Sequence, residues 1–347
     1  MIALLLCSIA AALYPPLPAQ DGRVTLPAQE WPHAPGPRAI TAYVFYPGGD
    51  LKNVHESTGL MLCLHNWGGT GAIGAPDPVQ VANRYDVVAI SVDYLQSGRW
   101  DAADGIPYDY GYLQALDALR ALHYVFYSLD EAHRPFARGR IYAAGGSGGG
   151  NVALMSNKLA PRTFACIVDI SGMAELSDDI AFGVPGGSEL NAGYSRDAVS
   201  PTYLSCAAQE LRFIGRPEHL RTMKHLGNRA TVVVVHGATD SVCPTADVRK
   251  MVANMKRARI DAVPHFIFKR DIDGTAIKDT GHSIGDRTAL LFRFADEYLS
   301  PDSASHRVRA GKTDFELRDE MVRYKTGTGA HVISYADGYP VGRLEEK

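Results

Sequence analysis

Hydrophobic positions along this chain follow two patterns. Six short runs are apolar at almost every consecutive position: residues 60–65 (LMLCLH), 87–93 (VVAISVD), 141–144, 165–170 (ACIVDI), 231–236 (TVVVVH) and 265–268. Unbroken runs of this length are what strands buried on both faces look like. Between them the spacing changes to three and four. Residues 112–127 set Leu113, Leu116, Leu119, Leu122, Val125 and Phe126 near one side of a helix, and 151–159 read as a helix stopped by Pro161. Further helices are predicted over 245–258 and 286–299. The alternation predicts an α/β fold class: a mostly parallel, doubly wound sheet with helices on both faces and ligands at the carboxyl ends of its strands.

Two segments depart from the alternation. Residues 173–228 are rich in Gly, Pro and polar side chains around a helical piece at 206–214, and their place between two core strands suits a cap over the site, against the alternative of a surface excursion. Residues 301–347 are charged and weakly patterned, and read as a peripheral C-terminal extension. The main domain is then 23–300. At the other end, residues 1–22 form a candidate signal segment. The opening MIALLLCSIAAAL is too short to span a bilayer but has the length of a secretory h-region, with Ala10, Ala11 and Ala12 as a cleavage region. It predicts a secreted or periplasmic protein. The alternative is a cytoplasmic one, since no Lys or Arg precedes the run.

Composition narrows the partners. The chain has 347 residues, 46% hydrophobic and 21% charged, with a formal net charge of −3. No basic stripe points to nucleic acid or an anionic membrane, and no segment argues for stable membrane insertion. A small-molecule partner is expected. Cys63, Cys166, Cys206 and Cys243 show no metal-finger spacing, so no metal and no cofactor are expected; a Cys206–Cys243 disulfide is conceivable only after export.

The chemistry concentrates at residues 145–151, GGSGGGN. A flexible linker is disfavoured by the core-like runs on both sides, and a phosphate-binding P-loop lacks its Lys-Ser/Thr. A dinucleotide fingerprint fits better: Gly148, Gly150 and Ala153 match G-x-G-x-x-A, and Asp169 lies 21 residues after Gly148, where a ribose-binding acid belongs. The third reading is the nucleophile elbow G-x-S-x-G, with Ser147 on a tight strand-to-helix turn whose neighbours at two residues either side must be glycine.

An elbow serine needs a histidine to take its proton and a carboxylate to orient the imidazole, in the chain order Ser, acid, His. TVVVVHGATDSVCP sets Asp240 on the loop after a buried strand, and KDTGHSIGD sets His282 before the last core helix. Asp169, Asp271 and Asp273 are rival acids. Backbone N–H groups must also face the oxyanion: Gly148 supplies one, and in LHNWGGTG the Trp67 N–H is the expected second, with His65 and Asn66 bracing the loop. The loop after Asp93 brings Tyr94, Trp100 and Tyr108 toward the expected cleft as substrate-pocket candidates, against the alternative that most of its aromatics simply pack the loop onto the sheet.

Taken together, HNWGG, GGSGG, HGATDSVCP and GHS resemble the α/β-hydrolase superfamily, near the esterases and the prolyl-oligopeptidase-like catalytic domains, over roughly residues 38–299. Asn66 stands where that family usually has glycine. The resemblance implies an α/β-hydrolase fold and does not reach the substrate; the leading reading is a serine hydrolase acting on a small-molecule ester through an acyl-enzyme. A serine peptidase with the same triad is the first alternative; nothing in the chain resembles the propeller of the oligopeptidases. A dinucleotide-binding oxidoreductase and a catalytically dead binding protein are the others.

Overall fold

The computed structural model describes residues 14–99 and 105–346. The apolar leader, residues 1–13, and Trp100 lie outside the described residues.

The chain runs through β1 (Gly22–Ala28), β2 (Arg38–Phe45), β3 (Gly59–Leu64), α1 (Pro78–Tyr85), β4 (Val87–Asp93), α2 (Tyr112–Glu131), β5 (Ile141–Gly146), α3 (Gly148–Leu159) and β6 (Cys166–Ile170). It continues through α4 (Asp178–Phe182), α5 (Cys206–Leu211), α6 (Pro217–His225), β7 (Thr231–Gly237), α7 (Thr245–Arg257), β8 (Ala262–Ile267) and α8 (Arg287–Leu299). It closes with β9 (Val322–Lys325), β10 (Gly329–Ser334) and β11 (Val341–Glu346). Eight strands form one sheet in the order β1-β2-β4-β3-β5-β6-β7-β8, and β3 to β8 run parallel.

The six apolar runs are the six parallel strands. Because side chains alternate across a strand, each run feeds two cores. Leu60, Leu62 and Leu64 join α2, α3 and α7 on one face, whereas Met61 and Cys63 join α1 and α8 on the other. The antiparallel strands β1 and β2 escape the sequence pattern because β1 is half-exposed or exposed at all but one position and lies in a Pro-rich stretch, while β2 alternates buried with half-exposed positions. Pro27 is tolerated in β1 because that strand is an edge.

Residues 301–347, expected as a peripheral extension, carry a second antiparallel sheet, β11-β10-β9, whose Tyr324, Ile333 and Tyr335 are wholly buried in the main core with Phe315. Tyr127 Oη donates to the Phe315 carbonyl at 2.6 Å, and the His123 ring meets Phe315 edge-on. This explains why α2 is buried almost all round: the sheet covers one side and the tail covers the other. The segment 173–228 holds α4, α5 and α6. Its apolar side chains Met173, Leu176, Ile180 and Leu204 form a third cluster with Trp67, Tyr108, Tyr110 and Cys243 above the carboxyl ends of the strands. All four described cysteines are free, so Cys206, exposed on α5, does not pair with the buried Cys243.

Candidate active site

The turn from β5 into α3 is the tightest point of the site. Ser147 is held at φ 55, ψ −122, a left-handed backbone that costs a non-glycine residue strain and persists because its surroundings are fixed. Its N–H donates to the Ile170 carbonyl at 2.8 Å, and its own carbonyl accepts the Asn151 N–H at 3.1 Å. The glycines allow the close packing. A Cβ on Gly145 would lie 2.3 Å from the Gly149 carbonyl carbon, and one on Gly149 2.2 Å from the Leu64 oxygen.

Three side chains converge there from three loops. His282 Nε2 is 2.9 Å from Ser147 Oγ, and His282 Nδ1 is 2.9 Å from Asp240 Oδ2. Asp240 Oδ1 accepts the backbone N–H groups of Val242 at 3.0 Å and Cys243 at 2.9 Å. His236, which no motif singled out, braces this loop: its buried ring donates from Nε2 to the Cys243 carbonyl at 2.9 Å, and burial holds its pKa below the usual histidine value. An imidazole whose Nδ1–H is tied to a carboxylate presents a free Nε2 lone pair to a hydroxyl, which is the arrangement that removes a proton from serine. The donor atoms of Asp240, Cys243 and His282 lie within 4.8 Å of one another, a spacing a small cation could bridge, but Asp240 and His282 are already hydrogen-bonded to each other.

The loop after β3 reaches the elbow from the other side. A Cβ on Gly148 would lie 2.7 Å from the Trp67 nitrogen, so the two N–H groups expected to face an oxyanion are neighbours. Gly148 opens α3, where an N–H has no partner within the helix. His65 is fully engaged, with Nδ1 on the Asn66 carbonyl and Nε2 on Ser97 Oγ, both at 2.8 Å, and burial lowers its pKa to about 4. Asn66 Nδ2 donates to the Trp67 carbonyl at 2.9 Å, fixing the peptide next to the expected donor.

Two of the three pocket candidates are used as packing. Tyr94 stacks on the His65 ring with centroids 4.0 Å apart and donates its hydroxyl to the His65 carbonyl. Tyr108, 1% exposed, stacks face to face on the Trp67 ring at 3.6 Å. Both stiffen the loop after β3, because a flat aromatic next to a backbone turn buries more area as a wedge than as a solvent-facing wall. Trp100, the third, is not described.

Asp169, the rival acid and the ribose candidate, takes neither part. It is fully buried in β6, and a Cβ on Gly150 or Gly172 would fall 2.2 or 2.0 Å from its Oδ1. Neither oxygen finds a well-formed hydrogen bond. Burial pushes its pKa up to about 7; the Asp240 charge adds to the rise and the Gly172 N–H partly offsets it. Gly150 therefore makes room for a carboxyl group from within the protein, and that carboxyl has no opening through which to reach a ribose. Asp271 caps its own turn and Asp273 pairs with Arg293, so neither faces His282.

Arg287, which carries no motif, sits against the elbow: a Cβ on Gly146 would lie 2.1 Å from its Nε. Its Nη1 donates to Asn66 Oδ1 at 3.2 Å and to the Gly74 carbonyl. A lone arginine at the start of a helix has no sequence signature. The one hint was a glycine immediately before the serine, where a side chain is usually affordable.

A family model described as "Protein of unknown function (DUF2920)" matches residues 98–334. No curated protein matches the sequence. Among solved structures, the chain is similar to the acylaminoacyl peptidase of Pyrococcus horikoshii, with a TM-score of 0.53 and 14% identity over 84% of this chain and 43% of that one. It is similar to a puromycin-hydrolyzing peptidase of Mycobacterium tuberculosis, with a TM-score of 0.51 and 16% identity over 82% and 42%. An esterase of Thermogutta terrifontis aligns at a TM-score of 0.48 and 15% identity over 76% and 90%. The chain thus spans less than half the length of the two peptidases. The peptidase likenesses, with the eight-stranded sheet, establish the α/β-hydrolase fold.

Proposed function

The chain belongs to the family described as "Protein of unknown function (DUF2920)", and we propose that it is a serine hydrolase that cleaves carboxylic esters through an acyl-enzyme. The observation that carries this reading is the continuous hydrogen-bonded chain Ser147–His282–Asp240, at 2.9 Å for each link, built on an elbow with φ 55 at the serine.

The chemistry follows from those atoms. Ser147 Oγ attacks the ester carbonyl while its proton passes to His282 Nε2; the imidazolium that forms is stabilised by Asp240 through Nδ1–H. The carbonyl oxygen becomes an alkoxide and accepts the N–H groups of Trp67 and Gly148, donors that need no reorganisation because the turn and the stacked Trp67–Tyr108 pair fix them. Collapse of the tetrahedral intermediate breaks the C–O bond to the alcohol, which leaves with the proton from Nε2. Water, deprotonated by the same Nε2, then adds to the acyl-enzyme and releases the acid. A second reading is amide cleavage by the same atoms, since the two structural neighbours at TM-scores above 0.5 reported above are titled peptidases.

The test is labelling with a fluorophosphonate followed by turnover of 4-nitrophenyl esters and of matched anilides. Labelling abolished in Ser147→Ala, with turnover reduced by about 10⁴-fold or more, is the expected result. A protein that stays unlabelled and hydrolyses neither series would overturn the assignment; anilides cleaved as readily as esters would favour the second reading.

A further inference from the structure

Beside the elbow, on the side of α8, lies a cavity of about 300 Å³ lined by Gly74, Ser171, His282, Ser283, Asp286 and Arg287, among others. Its size is at the lower end for a small-ligand site. Its lining is unlike the apolar cluster under the cap, because polar side chains line it: Ser171, His282, Ser283, Asp286 and the Arg287 guanidinium. Arg287 is half-buried and makes no ion pair with a carboxylate among the described residues; its hydrogen bonds, both from Nη1, go to a neutral amide and a neutral carbonyl. Ser171, only 3% exposed, is held at φ 52 and its hydroxyl has no hydrogen-bond partner among the described residues. The one acid on the wall, Asp286, is exposed and its side chain is spent on the Ala289 N–H at 2.8 Å, as the cap of α8.

A guanidinium drawn even partly out of water normally finds a carboxylate, because taking a charge from water is costly unless it is paired. Burial already lowers the Arg287 pKa, with Tyr94 and Asp286 opposing that shift. The protein nonetheless clears space for this cation at the cost of any side chain on Gly146, directly before the nucleophile. We propose that Arg287, assisted by the Ser171 hydroxyl, binds a carboxylate of the substrate, so that the preferred ester carries an acid group a few bonds from the scissile carbonyl. The planar fork of arginine matches a carboxylate with two parallel N–H donors, and Nε and Nη2 carry no hydrogen bond to the described residues. This rests on the hydrolase reading, since it assigns the specificity of that same site.

The test compares esters that differ only in charge. On the acyl side the pair is 4-nitrophenyl hemiadipate against 4-nitrophenyl hexanoate; on the alcohol side it is 4-carboxyphenyl butyrate against phenyl butyrate. The wild-type protein is expected to prefer the anionic member of one pair by about ten- to a hundredfold in kcat/KM, with the preference shrinking in 1 M salt. Arg287→Gln should bring that ratio close to one, and Arg287→Lys should restore part of it. Equal losses on charged and neutral esters in Arg287→Gln would show that Arg287 only braces the Asn66–Gly74 loop, and unchanged kcat/KM on all four esters would show no contact with substrate; either overturns the proposal while fluorophosphonate labelling of Ser147 keeps the hydrolase reading intact. No labelling and no turnover of any of the four esters would instead overturn that reading, and this one with it.

Discussion

Asp169 lies in β6 and Asp240 on the loop after its parallel neighbour β7, both buried, and their fates are opposite. Asp240 stands three residues past the end of β7, on a loop whose next N–H groups fold back onto Oδ1 while His282 takes Oδ2. Asp169 is the penultimate residue of β6, paired with Gly145 on one side and Val234 on the other, so the nearby backbone donors serve the sheet ladder. What its side chain meets is the bare Cα of glycines. A buried carboxyl becomes useful for catalysis when a loop aims N–H groups at it; inside a strand the same group is sealed and favours its neutral form.

The sharpest way to break this comparison is to replace each acid by its amide. Asp240→Asn is expected to lower kcat by about 10⁴-fold, because the amide no longer holds the imidazole in the tautomer that receives the serine proton. Asp169→Asn should stay within about tenfold of the parent. Ester turnover by the two variants decides it, and a reversal would make Asp169 the triad acid.

The next effect is on stability. The Asp169 carboxyl keeps its proton in the folded state up to about pH 7, whereas the unfolded chain releases it near pH 4. Between those values the unfolded state has lost a proton that the native state still holds, so stability falls as pH rises through that window. Asp169→Asn removes this slope. Urea unfolding across pH 4 to 8 should show the variant gaining on the parent by a few kcal/mol, at most about 4; parallel curves would mean that the carboxyl is not held neutral.

Smaller still is the effect at Gly150. Glycine to alanine within a helix ordinarily stabilises by about 1 kcal/mol, but here the new methyl would meet Asp169 Oδ1 at 2.2 Å. We expect Gly150→Ala to cost about 1–3 kcal/mol in thermal or urea unfolding, and the cost to shrink when Asp169→Ala is combined with it, a coupling a double-mutant cycle reads directly. Additive effects would place the two residues out of contact.

Much of this protein was legible in its sequence because the relevant signals are local. A strand buried on both faces must be apolar at every position, so the six parallel strands announced themselves to within three residues at their ends. A serine on a strand-to-helix turn needs glycine two residues before and after, and the order serine, acid, histidine follows from where successive strands end. Those constraints drew attention to Ser147, Asp240, His282, Trp67 and Gly148 before any contact was known.

Tertiary structure decided what depends on a neighbour distant in the chain. The tail from Pro301 onward looked detached because its charged residues hide the few, Phe315, Tyr324 and Tyr335, that close over α2. Tyr94 and Tyr108 looked like pocket walls, yet they pack against His65 and Trp67, since a ring's stacking partner is not written in spacing along the chain. Between Asp169 and Asp240 local sequence left the choice open; the fold, by placing one carboxyl in the ladder and the other beyond it, brings Asp240 and not Asp169 to the His282 ring. Arg287 reaches the elbow only because α8 packs against β5 across 141 residues of chain, and such an approach is visible only once the sheet has brought its ends together.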